Sequence, residues 1–553
     1  MPSTAEIQSI VAEALAARRL EDAAPWQEAL LGDGTNARSL TLLGRYFAER
    51  GDIAASLAYI GEALRIDPFY TEAAIHRGNL LASIGSLTAA AACFERILLF
   101  APLHDQALGA YLHALQQTGR KHEIVEALRR RIRLGGEVAE LANRLGLALH
   151  AVGDLSGALA AYQRAQALSP ETPLYHSNAA TIYYHLERYD DALVELDRAR
   201  VIDPDFATAW FHTGNLRKAM GEPRRAEEAY RRAIALAPEY AEAHFALGCT
   251  LLQQDQWAEG WEEYEWRWSV PGLVAPIEID TPRWAGEELA GRRILVVAEQ
   301  GSGDTIQYIR YASTLLELGA EVYLWAPPEY VALLRRLPFL SGAATNRFQL
   351  PQCDYHVPTL SLPRLLHAAA DRIPAAPYLT PEPRKLAHFM KELGPRREHL
   401  RVGIAWAGNS VQVEDCRRSA KLADLAPLFT LPGLRWIGLQ KGPEAAQIAR
   451  SGLPVEDWSA RLESFEETAA LMGALDGVVS VCSAPLHLAG ALGIRSLALL
   501  AWAPDWRWRD DDVRTPYYAD MRIARMRRLN DWPGIARRAA QIVASWKPNT
   551  PRS

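Results

Sequence analysis

Small, bulky and helix-ending positions return along residues 37–270 at one fixed interval. Pro68, Pro102, Pro170, Pro204 and Pro238 fall on a 34-residue lattice, with Gly136 at the missing point. In the same register run Gly44, Gly78, Gly146, Ala180, Gly214 and Gly248, and a second small column of Ser56, Ala90, Ala158, Ala192 and Ala226. A bulky column follows at Phe94, Tyr162, Tyr230 and Tyr264, and Trp210 takes an aromatic position near the start of its unit. Small residues let two helices approach, the ring is expected to fill the gap between neighbouring units, and proline ends the second helix. The unit near Asp105 departs from the pattern with Leu112 and Ile124 in the small columns. About seven helix pairs are expected from Ala37 to Val270.

Period and columns together resemble the tetratricopeptide repeat (TPR), whose stacked helix pairs form a superhelix with a concave face that commonly takes extended peptides. Almost every patterned residue serves packing. Asn79 and Asn215 share an inward-facing column without making a ladder, and His76, His176, His212 and His244 fall in mixed registers.

Beyond residue 270 the pattern changes. The aromatic segment 260–268, with Trp261, Trp266 and Trp268, is read as a packed junction rather than an exposed helix. Apolar strands then alternate with helices. Strands are expected at Ile294–Ala298, Glu321–Trp325, Val402–Trp406, Leu434–Leu439, Gly477–Cys482 and Ser496–Leu500, and a helix at Thr305–Leu318. Such alternation implies parallel sheets covered by helices. A proline-rich gap from Pro374 to Leu400, with one charged helical piece, divides the region into two α/β halves. The expected organisation is an N-terminal helical segment (1–36), a TPR superhelix (37–270), and halves at 271–395 and 396–553.

Composition narrows the function classes. The chain of 553 residues carries a net charge of −6, which argues against a large nucleic-acid surface. The five cysteines, Cys93, Cys249, Cys353, Cys416 and Cys482, have neither disulfide nor zinc spacing, which fits a reducing, cytoplasmic setting. Residues 1–20 lack a signal-peptide core, and the apolar stretch 477–504 is interrupted by Pro485, His487 and Arg495, so no membrane span is expected.

Three segments carry candidate chemistry. In 299–305 (Glu-Gln-Gly-Ser-Gly-Asp-Thr), Gly301 and Gly303 permit a turn between strand and helix, and free amides there hold anions. Asp304 is either a general base or a helix cap. In 480–493, Ser483 opens a helix whose positive end suits phosphates, with Ala484 and Leu488 beside it and His487 one turn in. His487 either donates to a phosphate or is structural. The third segment, Trp406-Ala407-Gly408-Asn409 followed by Arg417, Arg418, Ser419 and Lys421, gathers positive charge for a departing phosphate, or forms a solvated basic loop. Gln440 and Lys441 are weaker candidates of that type. The acidic run Asp510–Asp512 is expected to be solvated, not metal-binding.

Pro282-Arg283-Trp284-Ala285-Gly286, the 300–307 run ending in Gln307, Arg310-Tyr311, Trp406–Asn409, Arg418-Ser419 and 487–493 together resemble bacterial TPR–glycosyltransferase fusions. Their catalytic region is similar to the lipopolysaccharide heptosyltransferases, and the domain order is similar to the O-linked N-acetylglucosamine transferases. The resemblance implies an α + α/β chain, a TPR α-solenoid followed by a GT-B-like pair of Rossmann-like domains. It further implies Asp304 as base, a nucleotide site at Ser483, His487 and Leu488, and Arg418 as the basic loop residue. The heptosyltransferases usually have Asp where this chain has Cys482, a loss of an acceptor group at the sugar.

The leading expectation is therefore a metal-independent, inverting transfer of a sugar from a nucleotide donor to a Ser or Thr hydroxyl. The protein acceptor would lie along the repeats, and the resemblance suggests flagellin modified with a nonulosonic acid. Two alternatives stand beside it. One is a TPR scaffold with a catalytically degenerate GT-B domain, favoured by Cys482. The other is an enzyme that builds surface glycan.

Overall fold

The computed structural model describes residues 2–374, 377–395, 399–408, 418–509 and 514–546. They divide into two compact units, Met1–Ala209 and Trp210–Ser553.

In the first unit the helices Thr4–Ala16, Leu20–Ala23 and Gln27–Gly32 precede five helix pairs. These are Ala37–Glu49 with Ile53–Ile66, Thr71–Ser83 with Leu87–Phe100, Asp105–Gln117 with Lys121–Gly135, Ala139–Ala151 with Leu155–Leu168, and Pro173–His185 with Tyr189–Ile202. Two more pairs follow, Ala207–Ala219 with Pro223–Leu236 and Ala241–Gln253 with Trp257–Tyr264. Second helices open on side-chain caps where the turn offers one, as Asp52 accepts from the Ala55 amide and Asp154 from Gly157.

The small and bulky columns meet inside one repeat, not between neighbours as expected. A Cβ added to Gly78 would fall 2.5 Å from the Phe94 ring, and one on Gly146 2.5 Å from Tyr162. Gly214 stands in the same relation to Tyr230, and Gly44 to Ile60. The partner is always sixteen residues on, so each ring lies against the first helix of its own pair. Ala180 occupies the glycine position opposite buried Leu196, the larger residue matched by a smaller partner. The irregular unit packs Leu112 and Leu128 at these two positions, both buried. Gly146→Ala is accordingly expected to cost about 1–3 kcal/mol by overpacking. Adding Tyr162→Leu should recover much of that loss, and denaturant unfolding measures both.

The histidines are more ordered than their sequence registers suggested. His176 and His244 lie two repeat lengths apart. His176 Nδ1 contacts Glu195 Oε2 at 2.7 Å and its Nε2 faces the Pro170 carbonyl at 3.2 Å. His244 repeats this with Glu263 at 2.5 Å and Pro238 at 2.9 Å. In the first unit, the hydrogen bond to Glu195 holds His176 above its ordinary value of 6.5 against the effect of burial. Burial pushes the Glu195 carboxyl up, but His176 and Arg198 outweigh it and hold the group low. A raised imidazolium stabilises fully below its unfolded value and loses that contribution as pH climbs through the folded one. The first unit should therefore melt lower as pH rises from neutral to about pH 8. In the same titration His176→Phe should flatten the slope.

The second unit continues from Tyr264 through a 3-10 turn, Glu265–Trp268, into two sheets. The first contains β1 (Arg293–Val297), β2 (Glu321–Trp325), β3 (Gly342–Ala344) and β4 (Tyr355–Pro358) in the order β3-β2-β1-β4, all parallel. The second holds β5 (Leu400–Ala405), β6 (Leu434–Gly438), β7 (Val455–Asp457), β8 (Gly477–Val481), β9 (Ser496–Leu500), β10 (Arg514–Thr515) and β11 (Tyr518–Arg525). Its order is β10-β11-β9-β8-β5-β6-β7, parallel except for the β10–β11 pair. The central strands β8 and β9 are buried on both faces, as their continuous apolar runs require. In both sheets the order reverses beside the first strand, at β1/β4 and β5/β8, which is where open α/β sheets leave a crevice at their carboxyl ends.

One expected element is broken. Instead of a single helix over 305–318, the chain forms Ser302–Tyr308, a 3-10 turn Ile309–Tyr311 and Ala312–Glu317. The tighter turn seats Arg310 in the interior, 1% exposed, where it donates to the Tyr517 carbonyl (2.6 Å) and the Tyr378 hydroxyl (3.2 Å).

Candidate functional site

Two of the segments singled out in the sequence pack on each other within the second unit, and the charge of Arg418 in the third reaches them. The left-handed residue of the 299–305 turn is Gln300 (φ 57°), not either glycine. Gly303 is required for another reason: a Cβ there would sit 3.1 Å from His487 Cδ2 and 3.4 Å from Ala484 Cα. The helices Ser302–Tyr308 and Ala484–Ala491 thus pack directly on each other, at van der Waals distance, where a donor phosphate was expected.

Each proposed catalytic group has a protein partner. Asp304 accepts from the Gly301 amide at 3.1 Å and pairs with Arg507 at 2.5 Å, and Arg507 also holds Asp505 at 2.8 Å. Burial pushes the Asp304 carboxyl up, and the Arg507 guanidinium draws it back. Arg507 itself lies over Trp506, 4.3 Å from the ring centroid. His487 is 5% exposed, stacked on Trp508 and 3.1 Å from the Tyr518 hydroxyl. Burial, reinforced by Arg507, lowers its imidazole to about 3, so it is neutral in the folded protein and brings no positive charge to a phosphate.

Cys482, at the position of the expected Asp, accepts from Trp508 Nε1 at 3.0 Å, and burial pushes its thiol up to about 12. Arg418 is near enough for its charge to act on Asp304, Cys482 and His487. Ser483 Oγ contacts Ser480 Oγ at 3.0 Å rather than capping its helix. Leu488 is fully buried and Gln307 1% exposed.

The third segment is held by its own side chains. The Gly408 amide donates to Ser419 Oγ (2.9 Å), and Gln440 Oε1 accepts from the Trp406 and Ala407 amides at 3.1 and 2.9 Å. The Lys441 ammonium donates to the Leu462 carbonyl, and Lys421 is exposed. Asn409, Arg417 and Asp510–Asp512 lie outside the described residues.

Sequence reading missed a buried ionic network at the end of the repeats. Arg267, 0% exposed, donates to both oxygens of Glu299 (3.1 and 3.0 Å), to Glu265 (2.5 Å) and to Ser361 Oγ (2.7 Å). Glu299 opens the turn read as an anion cradle, yet its carboxylate anchors the last repeat and also accepts from the Leu360 amide. The only sequence signal was an acid placed directly after an apolar strand.

The sequence profile described as "Tetratricopeptide repeat" matches residues 41–107, 104–173, 143–207 and 211–265. Among curated proteins, Protein FlbA of Caulobacter vibrioides is 25% identical over 519 residues, 89% of this chain and 82% of that protein. The small glutamine-rich tetratricopeptide repeat-containing protein 2 of Mycosarcoma maydis is 32% identical over 85 residues, 15% of this chain and 24% of that protein. The heat-shock protein cognate co-chaperone sgt12 of Aspergillus fumigatus is 33% identical over 89 residues, 16% and 26% of the two chains. These two relatives are therefore matched over about a quarter of their length. Among solved structures, a tetratricopeptide repeat protein from Parabacteroides merdae, 15% identical, superposes with a TM-score of 0.30 over 44% of this chain and 98% of its own.

The expected glycosyltransferase activity is corrected by these findings. The proposed base is held in an ion pair, His487, expected to donate to a phosphate, is neutral and buried, and of the relatives named above none bears a transferase name. The nucleotide sugar and the flagellin acceptor find no support among them either. Among the described residues no helix is long and apolar enough to cross a membrane. What the geometry and the profile establish together is an N-terminal tetratricopeptide-repeat array followed by a mixed α/β region with two sheets.

Proposed function

We propose that this protein is a docking scaffold whose repeat array holds an extended segment of a partner polypeptide. Supporting this is the profile match along 41–265, on helices whose small and bulky columns are wholly occupied in packing. Because the columns are used internally, recognition falls to the residue that follows each small position on the first helices. In the first unit these are Arg45, Asn79, His113, Leu147 and Thr181, none of them buried. Their mixture of charge, amide, imidazole and one 49% exposed leucine suits a peptide read through both backbone and side chains. The two relatives matched over a quarter of their length bear on the reading only through that short stretch.

In this proposal the sheets are a pair of doubly wound, Rossmann-like halves in the GT-B manner, kept as structure without transfer chemistry, and Asp304, Arg418 and His487 serve packing. The division into 1–36, 37–270, 271–395 and 396–553 belongs to the same reading. So does a cytoplasmic setting, in keeping with the free thiols of Cys93, Cys249, Cys353 and Cys482. The test uses the full chain and an arrayed library of extended peptides, followed by fluorescence polarisation. Asn79→Asp with His113→Glu should weaken the best peptide at least about tenfold with melting unchanged. Equal binding by the variant, or no binder in the library, would overturn the assignment.

A further inference from the structure

A chamber of about 580 Å³ opens in the second unit between the ends of the sixth- and seventh-pair helices, the exit of β9, and β11. Its volume falls in the range of small-ligand pockets, roughly 300–1,000 Å³. Five of its described lining residues are cations, Lys218, Arg522, Arg525, Arg527 and Arg538, and among the described residues none that lines it is a carboxylate. That is a local concentration, because the chain as a whole carries a net charge of −6.

Two of the five are fixed by the backbone. Arg525 Nη2 donates to the Trp508 carbonyl at 3.3 Å and to that of Arg509, and the Arg538 guanidinium donates to the Arg525 carbonyl. No ion pair within 4 Å joins Lys218, Arg522 or Arg527 to a described carboxylate, although Lys218 acts by its charge on Asp505. Pro504, Ile523, Met526 and Ile542 supply apolar wall, which strengthens Coulomb attraction inside the chamber.

We infer that this chamber binds a small diphosphate-bearing molecule. Charge density makes the choice of anion. A carboxylate brings one charge, whereas a phosphate monoester brings about −1.5 to −2 and three acceptor oxygens. Two linked phosphates place about three negative charges on a compact set of acceptor oxygens, enough to answer three cations at once, and a tricarboxylate of like charge lacks that oxygen geometry. Arginine forks match phosphate oxygens in pairs, and Lys218 adds a point charge from the repeat side. The described lining includes neither Asp304, Arg418 nor His487, although Lys218 acts by its charge on Asp505 beside them, and the site is independent of peptide docking by the first unit.

Isothermal titration calorimetry of the full chain with inorganic pyrophosphate, at a constant ionic strength of about 0.15 M, tests the site. Citrate and a phosphoserine peptide form the comparison arms. Saturable binding of pyrophosphate is expected, with citrate at least about tenfold weaker. Arg522→Ala with Arg527→Ala, both exposed positions, should reduce pyrophosphate affinity at least about tenfold while leaving the melting temperature of the free protein unchanged. Absence of pyrophosphate binding, citrate binding as tightly, or an unaffected double variant would each overturn the proposal. Tighter binding of the phosphoserine peptide would overturn the small-molecule assignment.

Discussion

Arg267→Met should destabilise the second unit by about 3–5 kcal/mol, because it leaves Glu299 charged and buried without its counter-ion. Glu299 is 2% exposed at its side chain, and burial already pushes its carboxyl upward against the attraction of Arg267. Glu265 is the lesser casualty, since Arg283 still reaches it at 2.7 Å. Pairing Arg267→Met with Glu299→Leu removes both charges and should return most of the loss, as replacing a whole buried ion pair by apolar residues commonly does. Denaturant unfolding followed separately for the two units checks this. A single variant as stable as the wild type would show that water, not Arg267, satisfies Glu299. The network joins the last repeat to Glu299 after β1 and to Ser361, so its loss should loosen the coupling by which repeat and sheet unfold together.

Trp261→Ala should cost a similar amount, about 3–5 kcal/mol. The indole is 2% exposed and meets Tyr264, Tyr308 and Trp506 edge to face at centroid distances of 5.5, 5.7 and 5.4 Å. Its Nε1 is buried without a hydrogen-bond partner among the described residues. Trp261→Phe therefore keeps an aromatic ring while removing an unsatisfied donor, and should cost less than about half of the alanine change. Calorimetric melting of both variants decides it. Equal losses would mean that the indole N–H is satisfied after all.

How far these features could be read without coordinates differs along the chain. The repeat lattice was legible because one packing solution recurs, so glycine and ring columns print the same contact again and again. Which helix each ring touches was not legible: the lattice gives spacing, and spacing alone does not distinguish a partner sixteen residues on from one in the next repeat. The long apolar strands were read to within two residues, with Glu321–Trp325 and Ser496–Leu500 matched at both ends. Five short or mixed strands, β3, β4, β7, β10 and β11, carry too little apolar run to stand out. The Arg-rich β11 is the instructive case. Its arginines line a chamber that forms only when β9, the last helix and two repeat helices converge.

The turn at 299–305 shows the same limit for chemistry. Glycine, acid and helix start in that order describe both an anion cradle and a tight helix crossing. Arg507, about two hundred residues away, decided in favour of the crossing by pairing with Asp304, as Ala484 and His487 did by occupying the space beside Gly303. Local patterns alone determined the array of helix pairs and the alternation of strands and helices, since both are set by contacts recurring at short, regular separation. Tertiary structure alone decided which charges face which: an ionisable side chain takes its role from its burial and its counter-ion, and here the counter-ions of Asp304 and Glu299 come from distant parts of the chain.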